Sequence, residues 1–286
     1  MRRTHDSGAG ILTMLFTSID DYAYLRQLVL GLSQNVLDPA HDYLFETRLS
    51  ALLRERGMTH LHELVVFLRA RKNPILERAI AEAMITHETS FFRDSRPFDL
   101  LRTDLLPRII ENRRPARALR LWSAACSTGQ EAYSLAINLR ENFPNLAHWD
   151  IRIEGTDLCA DAVRRAQAGR YHRIELNRGM PARLATRYFD PQGEDWVIKP
   201  EVSSLCTFRQ MNLCASPLPI HNRYDVILLR NVMLYFTLET RRALLANMHS
   251  LLAPDGVLIL GSSEQAAGSP LWTPVLAGGT CYFTPS

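Results

Sequence analysis

Trp122-Ser123-Ala124-Ala125-Cys126-Ser127-Thr128-Gly129-Gln130-Glu131 is the stretch that decides the fold. The short apolar run Ala118 to Ser123 ends there, and a helical pattern begins at Gly129 and reaches Glu141. A strand passing into a helix through small polar residues is the opening unit of an open parallel sheet. In such sheets ligands sit beyond the carboxyl ends of the strands where the strand order reverses, and small residues let a ligand approach the backbone. The loop has neither Gly-x-Gly-x-x-Gly nor a terminal Gly-Lys-Ser/Thr, which argues against a triphosphate. Glu131, in the first helical turn, would repel phosphates and pair with a cationic group. Complementing the positive helix end is an equally good account of it, and the local pattern leaves both open.

Downstream, short apolar runs alternate with helical patterns: Ile151 to Gly155, a helix over Ala160 to Ala168, Tyr224 to Leu229, a helix over Glu239 to Leu252, and Val257 to Leu260. That alternation predicts a parallel sheet covered on both faces. Thr280 to Thr284 is expected as a last strand beside Val257 to Leu260. Between Gly169 and Asn212 the pattern lapses into short segments with turns at Asn177, Gly179, Pro191 and Gly193, so an inserted subdomain over about 169–210 is expected. The second strand runs into Thr156-Asp157, and an acid in that place either binds ribose hydroxyls or caps the helix at Ala160. A loop averse to phosphate, together with a ribose-type acid, favours a nucleoside cofactor without phosphates. S-adenosylmethionine fits this description better than NAD or ATP.

Upstream the texture is helical. Ser18-Ile19-Asp20-Asp21 is a capping-box pattern opening a helix to Ser33. Phe45, Leu49, Leu52 and Leu53 form one stripe of a second helix, stopped near Gly57; a third runs from Thr59 to Arg71, and Pro74 starts a fourth to about Ile85. The expected organisation is a polar tail over 1–10, an all-helical domain over 11–85 and an α/β domain over 86–286.

The whole chain of 286 residues has 33 basic and 30 acidic side chains, a formal charge of +3 that argues against a dedicated nucleic-acid binder. Its five cysteines are odd in number and without a Cys-x-x-Cys pair, as free thiols of a reducing compartment would be. The apolar stretch from Ile11 to Ile19 is too short for a membrane span, and no His-Glu-x-x-His or carboxylate cluster suggests a metal. These features predict a cytoplasmic protein with no membrane-inserted segment.

The segments Thr86-His87-Glu88-Thr89-Ser90-Phe91-Phe92-Arg93-Asp94, Trp122 to Ser134, Gly155-Thr156-Asp157, Ala168-Gly169-Arg170-Tyr171, Asn212-Leu213 and Arg230-Asn231-Val232-Met233-Leu234-Tyr235-Phe236 occur in order. Together they resemble the chemotaxis receptor methyltransferase family, CheR, from about residue 15 to the end. The resemblance implies an α/β class I S-adenosylmethionine-dependent methyltransferase core of Rossmann-like type with a small β-subdomain insert, preceded by an all-α domain. It implies methyl ester formation on glutamates in the cytoplasmic helical bundle of methyl-accepting chemoreceptors, with S-adenosylhomocysteine as the other product. In that family the residues matching Thr89 and Arg93 touch the cofactor. Those matching Glu131 and Asp157 hold its amino acid end and ribose, and those matching Asn212, Leu213, Arg230 and Asn231 line the rest. His87 stands where the family more often has asparagine, and imidazole replaces only part of an amide's hydrogen bonding.

A glutamate is already ionised at neutral pH, so an in-line displacement at a sulfonium needs no general base. Alignment is what remains to be supplied. Arg93 suits the incoming carboxylate, which guanidinium pairs bidentately, and Tyr235 offers a phenol or a ring face near the sulfonium. Arg48, Arg54, Arg56, Arg69, Arg71 and Lys72 are candidates to meet an acidic receptor, although a solvated helix face explains such charges equally well. The short Asp190-to-Trp196 connection in the insert suggests that the receptor-tail pentapeptide used by some members is not required here, and a monomer is expected. The rival reading is a non-catalytic S-adenosylmethionine-binding regulatory module of pilus motility or surface sensing. Amino-group methylation is disfavoured, because Arg230-Asn231-Val232-Met233 replaces the expected Asn/Asp-Pro-Pro-aromatic run.

Overall fold

The computed structural model describes residues 17–220, 222–266 and 268–286. The expected tail over 1–10 therefore lies outside the described residues. The chain divides into two compact units, one ending at Thr86 and the other comprising His87–Ser286.

The first unit contains helices α1 (Ile19–Ser33), α2 (Tyr43–Glu55), α3 (Leu61–Ala70) and α4 (Pro74–Ala83). The capping box forms: Asp21 N–H donates to Ser18 Oγ, and Ser18 N–H donates back to the Asp21 carboxylate at 2.9 Å. Asp21 also pairs with His62 Nδ1 at 2.9 Å, joining the start of α1 to α3. Leu25, Val29, Phe45, Leu49, Leu53, Leu61, Leu64, Leu68, Leu76 and Ile80 close the core, one stripe from each amphipathic helix. Arg48, grouped in the sequence with outward-facing cations, instead donates to the carbonyls of Met84 and Ile85 at 2.8 and 3.2 Å. It satisfies carbonyls left open where α4 ends, whereas Arg54, Arg56, Arg71 and Lys72 are exposed.

The second unit opens with α5 (Arg96–Leu100), a π turn (Leu101–Leu105) and α6 (Leu106–Arg113). Strands β1 (Ala118–Ala124), β2 (Asp150–Asp157), β6 (Cys206–Gln210), β7 (Tyr224–Leu229), β8 (Leu252–Leu260), β9 (Trp272–Ala277) and β10 (Thr280–Pro285) form one sheet in the order β6-β2-β1-β7-β8-β10-β9. The first five are parallel, while β10 runs antiparallel to both β8 and β9. The order reverses between β1 and β7, so both neighbouring strand ends open on the same crevice. Side chains alternate between two cores: Leu119, Leu121, Val226, Leu228, Val257 and Ile259 face one side, and Trp122, Ala124, Ile227, Leu229, Leu258 and Leu260 the other. Helix α7 (Gln130–Asn142) covers the first core and α12 (Leu238–Leu251) the second. This is the Rossmann-like class I arrangement.

Between β2 and β6 lie α8 (Ala160–Ala168), β3 (Arg170–His172), α9 (Arg173–Asn177), α10 (Ala182–Tyr188), β4 (Phe189–Gln192), β5 (Asp195–Ile198) and α11 (Pro200–Ser203). The three strands pair antiparallel in the order β3-β5-β4. Cys206–Gln210, which the sequence pattern placed within the insert, is a strand of the main sheet instead. Its mixed side chains, buried only at Phe208, hide the pattern because it is an edge strand. Strand β9 also went unpredicted for that reason: it is the other edge, and only Trp272 is buried. Phe91 packs edge-on against Tyr171 at 5.0 Å and Phe189 at 5.5 Å, fastening the insert to the segment before α5.

Candidate active site

The carboxyl ends of β1, β2, β6, β7 and β8 lie along one edge of the sheet, and most of the residues singled out in the sequence are found there. Five of the seven non-glycine residues with positive φ among the described residues are Phe92, Asp94, Ala125, Ser127 and Asn231. Backbone strain of this kind costs of order 1–3 kcal/mol per residue and persists only where the surroundings enforce it, which is why it gathers at functional sites.

At the turn from β1 to α7, Cys126 N–H donates to the Thr156 carbonyl, and Tyr171 Oη donates to the Thr128 carbonyl at 2.7 Å. The insert thus holds the loop. Gly129 has φ +94°, and a Cβ there would lie 2.9 Å from Ala166 Cβ and 3.1 Å from Tyr171 Oη. Its smallness is demanded first by α8 and the insert, and only secondarily by any ligand. The Cys126 thiol is pushed far up by burial, with the Asp157 and Glu131 charges adding to it, so it is no nucleophile.

Asp157, at the end of β2, accepts from Ser127 N–H at 2.8 Å and from Cys159 N–H at 3.0 Å. It does not cap the helix at Ala160, whose N-cap is Cys159 with no side-chain cap; it ties the residue before that helix to the β1 loop, and each carboxylate oxygen keeps a second lone pair. Burial raises its pKa; the Cys159 N–H, the charge of His87 and the Ser127 N–H oppose that rise without cancelling it. His87 is thereby placed near Asp157. Met211 N–H bonds the Asp157 carbonyl at 2.8 Å, which brings Asn212 and Leu213 to the same edge.

Arg230, immediately after β7, is the centre of the site. Its side chain is 1% exposed. Nη1 donates to Glu131 at 2.9 Å, and Nη2 donates to the Arg93 carbonyl at 2.8 Å and to Asp94 at 2.9 Å. Glu131 also accepts from Ser123 Oγ at 2.8 Å. The cation inferred as a partner for Glu131 is thus present within the protein, and it ties the Arg93-Asp94 turn to α7. Arg93 itself spends its guanidinium on the Glu88 carbonyl and has no carboxylate partner among the described residues. Thr89 and Tyr235 are part-exposed, and neither side chain makes a hydrogen bond among the described residues. Asp94, Ser123, Ser127 and Glu264 were not singled out in the sequence. Glu264 was findable, since it closes Gly261-Ser262-Ser263-Glu264 directly after an apolar strand; the others are common loop residues with no distinguishing pattern.

A family model described as CheR methyltransferase, SAM binding domain, matches residues 87–280. The chain belongs to the CheR methyltransferase family. Chemotaxis protein methyltransferase Cher2 of Pseudomonas putida is 37% identical over 233 residues, 80% of this chain and 84% of that protein. Chemotaxis protein methyltransferase 1 of Pseudomonas aeruginosa is 37% identical over 239 residues, 82% and 86% of the two chains. The chemotaxis protein methyltransferase of Vibrio parahaemolyticus is 34% identical over 261 residues, 90% and 93%.

The cofactor of this CheR chain is S-adenosylmethionine, and the donor set suits it. Ser127 Oγ and Arg230 Nε are buried without a hydrogen-bond partner among the described residues, and buried polar atoms of this kind ask for one. Hydroxyls and a carboxylate are the cofactor groups that would serve them. Glu131 and Asp94 outnumber the single Arg230 charge between them, a balance that favours a cationic guest over a phosphate. No helix among the described residues is long and apolar enough to cross a membrane.

Proposed function

We propose that this methyltransferase esterifies glutamate side chains on the helical cytoplasmic bundle of chemoreceptors. The observation that carries the reading is the Arg230 cluster, which holds the Arg93-Asp94 turn beside Glu131 while leaving the Arg93 guanidinium without a carboxylate partner. S-adenosylmethionine, when bound, would supply a sulfonium methyl: a carboxylate oxygen bonds to the methyl carbon as the carbon–sulfur bond breaks, giving a methyl ester and S-adenosylhomocysteine. The chain's contribution is alignment: Glu131 and Asp157 hold the amino acid and ribose ends, with His87, Thr89, Asn212, Leu213, Arg230 and Asn231 around them. Arg93 receives the substrate carboxylate, and Tyr235 borders the reacting methyl. The relatives' chemotaxis names support this partner, and the exposed Arg54, Arg56, Arg71 and Lys72 suit its acidic surface. Incubation with methyl-labelled cofactor and receptor fragments is expected to place base-labile label on glutamates. Cofactor binding without any transfer would refute the reading.

The insert bears on how the receptor is held. Strands β4 and β5 are joined only by Gly193-Glu194, with Gly193 at φ +68°, and so short a turn gives little surface for a peptide tail. We therefore expect receptors with and without their last five residues to be methylated at rates equal within about a factor of two, as for any contact that contributes little binding energy. A tenfold loss on removal of the tail would show that the tether is needed.

A further inference from the structure

Glu264 lies in the loop after β8 and is 9% exposed. Its carboxylate gathers five backbone donors from two segments. Oε2 accepts from Gly261 N–H at 2.8 Å and Asn231 N–H at 2.6 Å. Oε1 accepts from Val232 at 2.9 Å, Met233 at 2.7 Å and Leu234 at 3.4 Å. The residues Met233–Tyr235 form a single 3-10 turn. The N–H groups at the start of such a turn have no partner within it and carry partial positive charge, so Glu264 caps the turn from a distant strand end. Arg241 caps the other end, donating to the carbonyls of Phe236 at 3.0 Å and Leu234 at 3.2 Å.

The fit around the carboxylate is close. A Cβ on Gly261 would lie 2.6 Å from Glu264 Oε2 and 2.9 Å from Asn231 N. Asn231 sits at φ +60°, a conformation the surroundings must enforce. Hydrogen bonds to an ionised acceptor are roughly twice as strong as neutral ones, and five of them converge here.

We propose that Glu264 is a positioning residue for methyl transfer: by clasping the backbone of Asn231–Leu234 it sets the direction of the Tyr235 phenol beyond the end of β7. The inference rests on the reading of Tyr235 given above. Glu264→Gln keeps the size but turns an amide N–H2 toward backbone donors. It is expected to lower kcat about 30-fold, with cofactor Kd changed less than about threefold because Glu131 and Asp157 stand on other elements. In a Tyr235→Phe background the same substitution is expected to cost less than about threefold, since the group it directs is gone. Glu264→Gln losses equal in the two backgrounds would overturn the proposal alone. Full kcat in Tyr235→Phe by itself would remove the reading of Tyr235 and the proposal with it. If the Gln variant does not fold, Gly261→Ala takes its place in the cycle, displacing the carboxylate without deleting it. Independently of any variant, the amides of Asn231, Val232 and Met233 should exchange at least about a hundredfold slower than unprotected peptides, and free exchange there would also overturn it.

Discussion

Replacing Arg93 by lysine is expected to lower kcat/KM for receptor methylation by about two orders of magnitude, the usual scale for removing one well-placed donor from a reacting centre. Lysine keeps the charge, so a purely electrostatic role would survive. What it loses is the planar fork that, under the proposed function, would grip both carboxylate oxygens and aim one of them along the line of displacement. The surrounding backbone is firmly held. Phe92 and Asp94, on either side, hold positive φ values of 49° and 58°. Phe92 N–H donates to Ser134 Oγ at 2.9 Å, and the Arg93 carbonyl is gripped by Arg230. With the main chain fixed at three successive residues, the substituted side chain cannot recover the geometry by moving its backbone. Steady-state rates with labelled cofactor, alongside titration with S-adenosylhomocysteine, separate the two roles given to this residue. A large loss of rate at nearly constant affinity supports carboxylate binding; unchanged kcat with weakened product affinity would assign Arg93 to the cofactor alone.

Arg230→Met is expected to cost about 3–5 kcal/mol of stability, because it removes one partner of a buried ion cluster and strands the other. For a unit of this size that corresponds to a fall in Tm of roughly 10 °C. Glu131, 13% exposed, would retain Ser123 Oγ as a partner but lose its cation, while the more exposed Asp94 would turn to water at little cost. The penalty therefore comes mainly from Glu131, and the double variant with Glu131→Gln is expected to recover a substantial part of it, since an amide is far cheaper to bury without a counter-ion. Thermal unfolding of the four proteins in the cycle provides the measurement. Additive losses would mean that Arg230 stabilises through its contact with Phe98, whose ring lies 5.8 Å from the guanidinium carbon, and not through the ion pair.

The parts of the molecule that were legible beforehand share one property: their signals are local. Buried strands β1, β7 and β8 are apolar on both faces, so their composition alone marks them. The α1 capping box spans four residues; Asp157 ends β2 and Glu131 lies in the first turn of the helix that follows β1, where chain direction alone puts them at the ligand edge. Strands β6 and β9 lie at the sheet edges and bury one residue in five and one in six, too few to give a period. Arg48 read as a surface charge because nothing nearby in sequence announces the end of α4, some 36 residues on, whose carbonyl it caps.

The sequence by itself determined the buried strands and the helices between them, the aversion of the first loop to phosphate, and the family with its cofactor. The first two follow from side-chain chemistry read over a few residues at a time, and the family from the resemblance carried by several motifs in order. Only the tertiary structure decided that Glu131 is paired with Arg230, that Gly129 is small because α8 and Tyr171 crowd it, and that Glu264 clasps the turn bearing Tyr235. Each of these joins residues from 30 to 99 positions apart. The first contact depends on β1 lying beside β7, the second on β1 beside β2, and the third on β7 beside β8, and strand order is set by how the whole sheet buries its two faces, which no local pattern encodes.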